Sequence, residues 1–215
     1  MNRIAKNNRV NKQLHLTRKF TDAIDYARHL HIERRKGADI PYMAHLLGVA
    51  ALVMAEAGHA AIPVTEDMVI AALLHDTVED HGGYTRLEDL EQNFGANVAR
   101  MVKGLTDSFS EDSGDKEPWR KRKEAYISRL RKEPADIQLI SAADKLYNAR
   151  AILEDYRDKR IGPKIWERFK RGRVDQLWYF NSLLEVFREA GKGRTVEEFG
   201  RVVAELARIS AHEPN

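Results

Sequence analysis

Four side chains that are suited to bind a divalent metal ion are distributed widely along the chain. His75 and Asp76 are adjacent at the end of a strongly apolar segment, His45 lies on an earlier apolar segment, and Asp144 interrupts the apolar passage 137–146. A carboxylate without a partner is costly to bury in such a passage, and a cation would offset that cost. Two imidazoles and two carboxylates suit manganese, iron, cobalt or zinc, with positions left for water.

Each of these four residues has a structural interpretation as well. A buried histidine is more often a hydrogen-bonded core residue than a metal ligand, and a buried aspartate is more often a helix cap or an ion-pair partner. The residue types alone therefore leave open whether the four side chains share one ion.

A second acidic pair follows the first at a spacing of four residues. Glu79 and Asp80 would lie one helical turn beyond His75 and Asp76. A carboxylate in that position can orient a water molecule, accept its proton or donate one to a leaving oxygen. The alternative is a solvated helix end. Asn148 lies one turn after Asp144, where its amide can donate a hydrogen bond to a sugar or phosphate oxygen.

The elements that must position these residues are predicted to be helices throughout. Apolar residues recur at spacings of three and four almost everywhere, which is typical of amphipathic helices. Thr65 is expected to cap one helix, and Thr195 with Glu198 to form a capping box before the last. The polar stretch 107–116 is interpreted as a surface loop that could cover a cleft. The predicted helices cover residues 17–31, 42–57, 65–81, 85–93, 96–106, 118–131, 134–156 and 166–190, and a last helix that begins near Thr195.

Length and composition favour one globular unit. The chain has 215 residues, of which 43% are hydrophobic, and this is enough for one sizeable core. We expect a flexible basic extension at 1–16, a main domain at 17–190 and a capping helix with its tail at 191–215. The absence of cysteine excludes disulfides and thiolate metal sites. No signal-like or membrane-spanning apolar stretch occurs, so we expect a soluble cytoplasmic protein that does not bind membranes.

The charge distribution favours a small anionic ligand over nucleic acid. The net charge is only +3, from 36 basic and 33 acidic side chains, so the molecule is not a polycation of the kind that coats nucleic acid. Two locally basic stretches, 116–132 and 157–173, could line a cleft for a phosphate-rich ligand. The alternative is that both are solvated helix faces.

Three segments together resemble the hydrolase domain of the RelA/SpoT family, and especially its free-standing members, the small alarmone hydrolases. They are RRKGADIPYMAH (34–45), AALLHDTVED (71–80) and ADKLYNAR (143–150). The resemblance extends over roughly residues 20–185 and implies an all-α, compact multi-helix bundle of the HD superfamily with a single metal site. It also implies a manganese-dependent enzyme that removes pyrophosphate from the 3′ position of ppGpp and pppGpp.

The same resemblance assigns roles to individual residues. The implied metal ligands are His45, His75, Asp76 and Asp144, and the implied pair for water activation is Glu79 and Asp80. The implied substrate contacts are Arg35, Lys36 and Asn148 near the nucleotide, Arg122 and Lys123 near the pyrophosphate, and Arg173 with Tyr179 on the other side. For Tyr179, core packing is the alternative.

The expected partner is thus a nucleotide, either ppGpp, pppGpp or an adenine analogue, and the expected oligomeric state is a monomer or a homodimer. Three alternatives remain at this point. Another HD enzyme could carry the same residues, such as an NADPH 2′-phosphatase, a nucleotidase or a deoxynucleotide triphosphohydrolase. A nucleotide-binding regulatory module could retain the fold without catalysis. A nucleic-acid-binding protein would need a stronger positive charge than this chain has.

Overall fold

Helices make up the regular structure of this computed structural model, which describes residues 13–107, 118–191 and 193–212. An isolated antiparallel bridge joins Arg34 to Pro41. None of the described helices combines the length and the apolar character that a membrane crossing needs. The helices are α1 (Arg18–Leu30), α2 (Met43–Ala55), α3 (Glu66–Leu73), α4 (Thr77–Asp80), α5 (Gly83–Phe94), α6 (Ala96–Leu105), α7 (Trp119–Leu130), α8 (Ala135–Arg157), a 3₁₀ helix (Gly162–Arg168), α9 (Gly172–Ala190) and α10 (Arg194–Ile209). The predicted all-α class is confirmed.

Helix α8 is the central element of the bundle. It packs against α2, α3, α6, α9, α10 and the 3₁₀ helix. Its first half is buried almost continuously, from Ile137 to Leu146, because neighbours cover several of its faces. Asp144 and Asn148 therefore project from a helix whose position is fixed by the core.

Helices α2 and α8 approach each other closely at Gly48. A β-carbon at this position would lie 2.0 Å from Cε2 of Tyr147, far inside van der Waals contact. The Tyr147 ring also meets the His45 ring edge to face, with 5.0 Å between centroids. The missing side chain at Gly48 thus lets α2 bring His45 up to the helix that carries Asp144.

The cap at Thr65 is confirmed, but the helix that follows it is shorter than predicted. Thr65 Oγ1 accepts a hydrogen bond from the backbone N–H of Met68 at 3.3 Å, and α3 then ends at Leu73 instead of continuing to residue 81. His75 Nδ1 lies 2.9 Å from the carbonyl oxygen of Ala72. The imidazole thereby binds a carbonyl that a continuing helix would have used, and a turn at 74–76 separates α3 from α4.

The predicted capping box at Thr195 is wrong. Helix α10 begins after Gly193, whose side chain cannot cap it, and Glu198 instead pairs with the guanidinium of Arg150. The cap comes from another helix: the backbone N–H and the hydroxyl of Thr195 both donate to Oε1 of buried Glu56, at 2.5 and 2.6 Å. A carboxylate at the end of α2 thus fixes the start of α10.

Three further predictions differ from the structure or fall largely outside the described residues. The predicted helix 166–190 is not continuous, because the 3₁₀ helix ends at Arg168 and Gly172, with a φ of +64°, begins α9 after a turn. Of the predicted loop at 107–116, only Asp107 belongs to the described residues. Most of the extension predicted at 1–16 likewise lies outside them.

Candidate metal centre and its cleft

Four side chains from three parts of the chain converge on one point. His45 comes from α2, His75 and Asp76 from the turn between α3 and α4, and Asp144 from α8. His45 Nε2 lies 3.3 Å from His75 Nε2, 3.4 Å from Asp76 Oδ2 and 3.5 Å from Asp144 Oδ1. His75 Nε2 lies 3.0 Å from Asp76 Oδ2 and 3.6 Å from Asp144 Oδ1. The structure therefore brings together all four residues that the sequence suggested.

This donor set fits a divalent metal ion. Ligand atoms at about 2.1 Å from a shared ion lie roughly 3.0–3.4 Å from one another, close to the distances between the His45, His75 and Asp76 atoms. Asp144 Oδ1 lies within 3.6 Å of both imidazole nitrogens. His75 Nδ1 faces a carbonyl oxygen and must donate its proton there, so a neutral His75 ring directs the lone pair of Nε2 at the Asp76 carboxylate. Acceptor atoms that face each other in a buried site require a cation between them.

The pKa shifts of His75, His45 and Asp144 are consistent with a site for a cation. Burial lowers the pKa of His75, but the carboxylates of Asp76 and Asp144 outweigh burial and raise it to about 10, so the surroundings of this ring favour positive charge. Burial lowers the pKa of His45. Burial raises the pKa of Asp144, but the ammonium of Lys145 and the two imidazoles outweigh it and hold that pKa well below the usual range.

Two residues next to the four-residue set were not identified from the sequence as part of the site. The Tyr42 hydroxyl donates to Asp76 Oδ2 at 2.6 Å, and the Lys145 ammonium donates to Asp144 Oδ2. Tyr42 precedes His45 by about one helical turn, and Lys145 is a charged residue in an apolar passage. These two signals could have indicated that both side chains face the site.

The acidic pair lies beside the four-residue set, with both pKa values raised. Burial has the largest effect on Glu79, and the carboxylates of Asp107 and Asp76 raise its pKa further. Burial, followed by the charges of Asp76 and Glu79, raises the pKa of Asp80 to about 7. A carboxyl group with a pKa near neutrality can both accept and donate a proton at physiological pH.

A cleft of about 590 Å³ opens over this centre. Among the predicted substrate-binding residues, Arg35, Lys36, Lys123, Asn148 and Tyr179 line it. Arg35 Nη2 donates to Asn148 Oδ1 at 2.6 Å, and Asn148 Nδ2 donates to Asp144 Oδ1 at 2.6 Å. A chain of hydrogen bonds thus connects a cleft arginine to a candidate metal ligand.

Arg122 and Arg173 are not among the described residues that line the cleft. Arg122 Nη1 lies 3.2 Å from Asp107 Oδ2, and the Lys123 ammonium lies 2.6 Å from the same oxygen. The backbone N–H of Asp107 donates to Glu79 Oε2 at 3.3 Å. Arg122 is therefore connected to the acidic pair through Asp107, whereas Lys123 both contacts Asp107 and faces the cleft.

Comparison with known proteins gives consistent matches. The HD domain family matches residues 23–175. Human MESH1, a guanosine-3′,5′-bis(diphosphate) 3′-pyrophosphohydrolase, is 35% identical over 181 residues, which are 82% of this chain and 88% of that protein. The mouse protein of the same name is 40% identical over 134 residues, or 61% of this chain and 68% of its own length.

Solved structures agree in fold. A metazoan ortholog of SpoT that hydrolyses ppGpp superposes with a TM-score of 0.67 at 27% identity, over 92% of this chain and 98% of its own. A Listeria monocytogenes protein superposes with a TM-score of 0.61 at 27% identity, over 76% and 99% of the two chains.

Proposed function

Because this chain belongs to the HD domain family and is similar to MESH1 and SpoT-type relatives over most of its length, we propose that it is a ppGpp 3′-pyrophosphohydrolase. The convergence of four ligand atoms beneath a cleft with basic side chains is the observation that carries the proposal. The substrate would be guanosine 3′,5′-bis(diphosphate), its triphosphate form or the adenine analogue.

The proposed cofactor is Mn²⁺, held by His45, His75, Asp76 and Asp144. HD domain hydrolases are metal-dependent, and the mixed nitrogen and oxygen donors suit manganese. A bound ion lowers the pKa of water and screens the charge of an incoming phosphate. Tyr42 and Lys145 keep the two carboxylates in position, since each donates a hydrogen bond to an oxygen of one of them.

The proposed reaction is attack of water on the phosphorus that is linked to the 3′ oxygen. A new phosphorus–oxygen bond forms to water, the bond between phosphorus and the 3′ oxygen breaks, and the electron pair of that bond stays on the 3′ oxygen. Glu79 and Asp80 are the proposed proton carriers, which take a proton from water and return one to the 3′ oxygen. Their raised pKa values support this role.

Direct phosphate contacts are proposed for the basic residues that line the cleft, namely Arg35, Lys36 and Lys123. Charge that develops on phosphate oxygens is stabilised most by donors that are fixed in place before the reaction. The Arg35 guanidinium meets this condition, because it donates to Asn148 and its carbon lies 5.6 Å from the Tyr42 ring centroid. Tyr179 is proposed to close the other side of the cleft.

Product analysis over a nucleotide panel tests the proposal. Purified Mn²⁺-loaded protein is incubated separately with ppGpp, the adenine analogue and NADPH, and phosphorus NMR identifies the products. The proposal predicts GDP and pyrophosphate from ppGpp. Orthophosphate from NADPH alone would indicate a 2′-phosphatase instead, and turnover of none of the three would defeat the assignment.

The matched control for this assay is Asp144→Asn. The substitution keeps the size of the side chain and removes one negative charge from the candidate metal centre. Pyrophosphate release should fall to background in this variant. A regulatory module without catalysis would have no turnover to lose, and a contaminating phosphatase would be equally active in both preparations.

A further inference from the structure

A second set of potential metal ligands lies outside the four-residue centre. His31 Nδ1 is 2.8 Å from Glu33 Oε1, His81 Nε2 is 3.2 Å from His31 Nδ1, and His81 Nε2 is 3.7 Å from Glu33 Oε1. Two imidazole nitrogens and one carboxylate oxygen thus point at a common centre. The proposed hydrolysis uses none of these three side chains.

Three separate segments contribute these side chains. His31 directly follows α1, Glu33 lies in the segment that leads to α2, and His81 directly follows α4. The His31 side chain has no exposed area, whereas 39% of the Glu33 side chain and 27% of the His81 side chain are exposed. The set is therefore anchored in the core on one side and open to solvent on the other.

The geometry suits a small divalent cation. A point equidistant from the three ligand atoms lies about 1.9 Å from each, as their separations require. Metal–nitrogen and metal–oxygen bonds of zinc are about 2.0–2.2 Å, so an ion would lie slightly outside the plane of the three atoms. The remaining coordination positions would then face solvent and hold water.

The hydrogen bonding around His31 directs a lone pair at the same point. His31 Nε2 lies 3.4 Å from Thr77 Oγ1, so a proton on Nε2 can be donated to that hydroxyl, and Nδ1 then carries the lone pair. The ring is also held by stacking on Tyr42, with 5.2 Å between centroids. Fixing the outer nitrogen of a histidine in this way is the usual arrangement at metal sites.

We propose that His31, Glu33 and His81 form a second, solvent-facing site for a borderline transition metal, represented by Zn²⁺. Two imidazoles and one carboxylate favour zinc, cobalt, nickel or iron(II) over magnesium or calcium. An ion there cross-links the ends of α1 and α4 to the segment 32–42. That segment carries Arg35, so the second ion also stabilises one wall of the substrate cleft.

Zinc titration of the chelator-treated full chain tests this proposal. Calorimetry with Zn²⁺ alone should give two bound ions per wild-type chain and one per His81→Gln chain. The ion that remains in the variant is the one at the four-residue centre. Zn²⁺ should also raise the thermal unfolding midpoint of the wild type by several degrees more than that of His81→Gln, because one cross-link is lost.

His59→Gln is the control, since His59 is exposed and belongs to neither set. It should bind two ions, like the wild type. Equal zinc stoichiometry in the wild type and His81→Gln would overturn the proposal, provided that circular dichroism shows both folded. A different result is expected if only the four-residue centre fails to bind zinc. The wild type would then bind one ion, and His81→Gln would bind none.

Discussion

Folding raises the pKa of Asp80 into a range that stability measurements at different pH values can test. Its pKa rises from 3.8 in the unfolded chain to about 7 in the metal-free fold, because burial and the nearby carboxylates of Asp76 and Glu79 disfavour its charge. Because this pKa is higher in the folded state, the contribution of Asp80 to the free energy of unfolding is fully present below about pH 4. That contribution is lost as the pH rises through 7, where the carboxyl ionises.

Asp80→Asn should therefore stabilise the metal-free protein at pH 8 but have much less effect at pH 4.5. Differential scanning calorimetry at the two pH values measures this difference, and each kcal/mol corresponds to about 2–4 °C in a protein of this size. The same variant should lose about 100-fold or more in turnover, since a proton carrier is removed. A stability gain that is equal at both pH values would contradict the assigned pKa.

Tyr42→Phe tests the hydrogen bond from the tyrosine hydroxyl to Asp76 Oδ2. The ring that stacks on His31 is retained, and only the donor is lost. Mn²⁺ affinity should fall by about 10–100-fold, the usual effect of removing a group that orients a metal ligand. Calorimetric titration measures it. Tyr156→Phe is the control, because its hydroxyl binds the carbonyl of Ile209 away from the cleft, and unchanged affinity in Tyr42→Phe would contradict the role.

Some of the site could be predicted at the scale of single residues and some could not. His75, Asp76 and Asp144 stand out as polar residues in apolar surroundings, and their clustering follows from the cost of burying charge without a partner. Tyr42 and Lys145 were missed because a tyrosine and a lysine next to predicted ligands have many possible orientations. Arg122 lies on a basic helix and pairs with Asp107 instead of lining the cleft, so its contact with the substrate stays a prediction.

At the scale of elements, Gly48 determines how closely α2 can approach α8. Gly48→Ala should destabilise the protein by about 1–3 kcal/mol, because the new methyl group overlaps the Tyr147 ring. Alanine is otherwise the better helix residue by about 1 kcal/mol, so packing must outweigh propensity here. Metal affinity should fall as well, since α2 carries His45. Urea denaturation and Mn²⁺ titration measure the two effects.

Gly200→Ala is the matched control for this substitution. Gly200 also lies inside a helix, α10, but the nearest atoms to a β-carbon there are the flexible end of Arg188 at 3.1 Å and Leu184 at 3.6 Å. The substitution should leave stability unchanged or slightly improved, with no effect on metal binding. Equal destabilisation by both substitutions would show that the close approach at Gly48 has no special role.

Element boundaries were predictable where the signal is local. The Thr65 cap acts on a backbone N–H three residues away, and the side chain and its target lie in one sequence window. The cap of α10 was missed because its acceptor, Glu56, is 139 residues from Thr195. The break after Leu73 was also missed, since it depends on where the His75 ring points, which hydrophobic periodicity does not specify.

At the scale of the whole molecule, the metal ion should be part of the stability of the fold. The buried centre joins α2, the turn between α3 and α4, and α8 through four side chains, and any ligand that binds only the folded state stabilises it. At 100 times its dissociation constant, Mn²⁺ should add about 2.7 kcal/mol, which corresponds to roughly 5–10 °C in the unfolding midpoint. A thermal scan with and without a chelator measures this shift.

The variant Asp144→Asn identifies the source of that stabilisation. It should lose most of the Mn²⁺-dependent shift while retaining its helical circular dichroism spectrum, because α8 remains packed in the core. An undiminished shift in this variant would place the stabilising ion elsewhere on the molecule.

The overall architecture followed from hydrophobic periodicity, because an all-helical chain repeats one signal from end to end. How the helices cross was not available from that signal. It depends on particular contacts, such as Gly48 against Tyr147 and Glu56 against Thr195, and these contacts give the candidate centre its geometry.

The central claim, that one metal centre in this fold releases pyrophosphate from ppGpp, is tested most directly by restoring the metal. Chelator-treated protein is mixed with ppGpp, and pyrophosphate is measured before and after addition of Mn²⁺. The account predicts no release before addition and sustained release of GDP and pyrophosphate after it. Release that persists without metal, or none with Mn²⁺ or any other divalent transition metal, would contradict it.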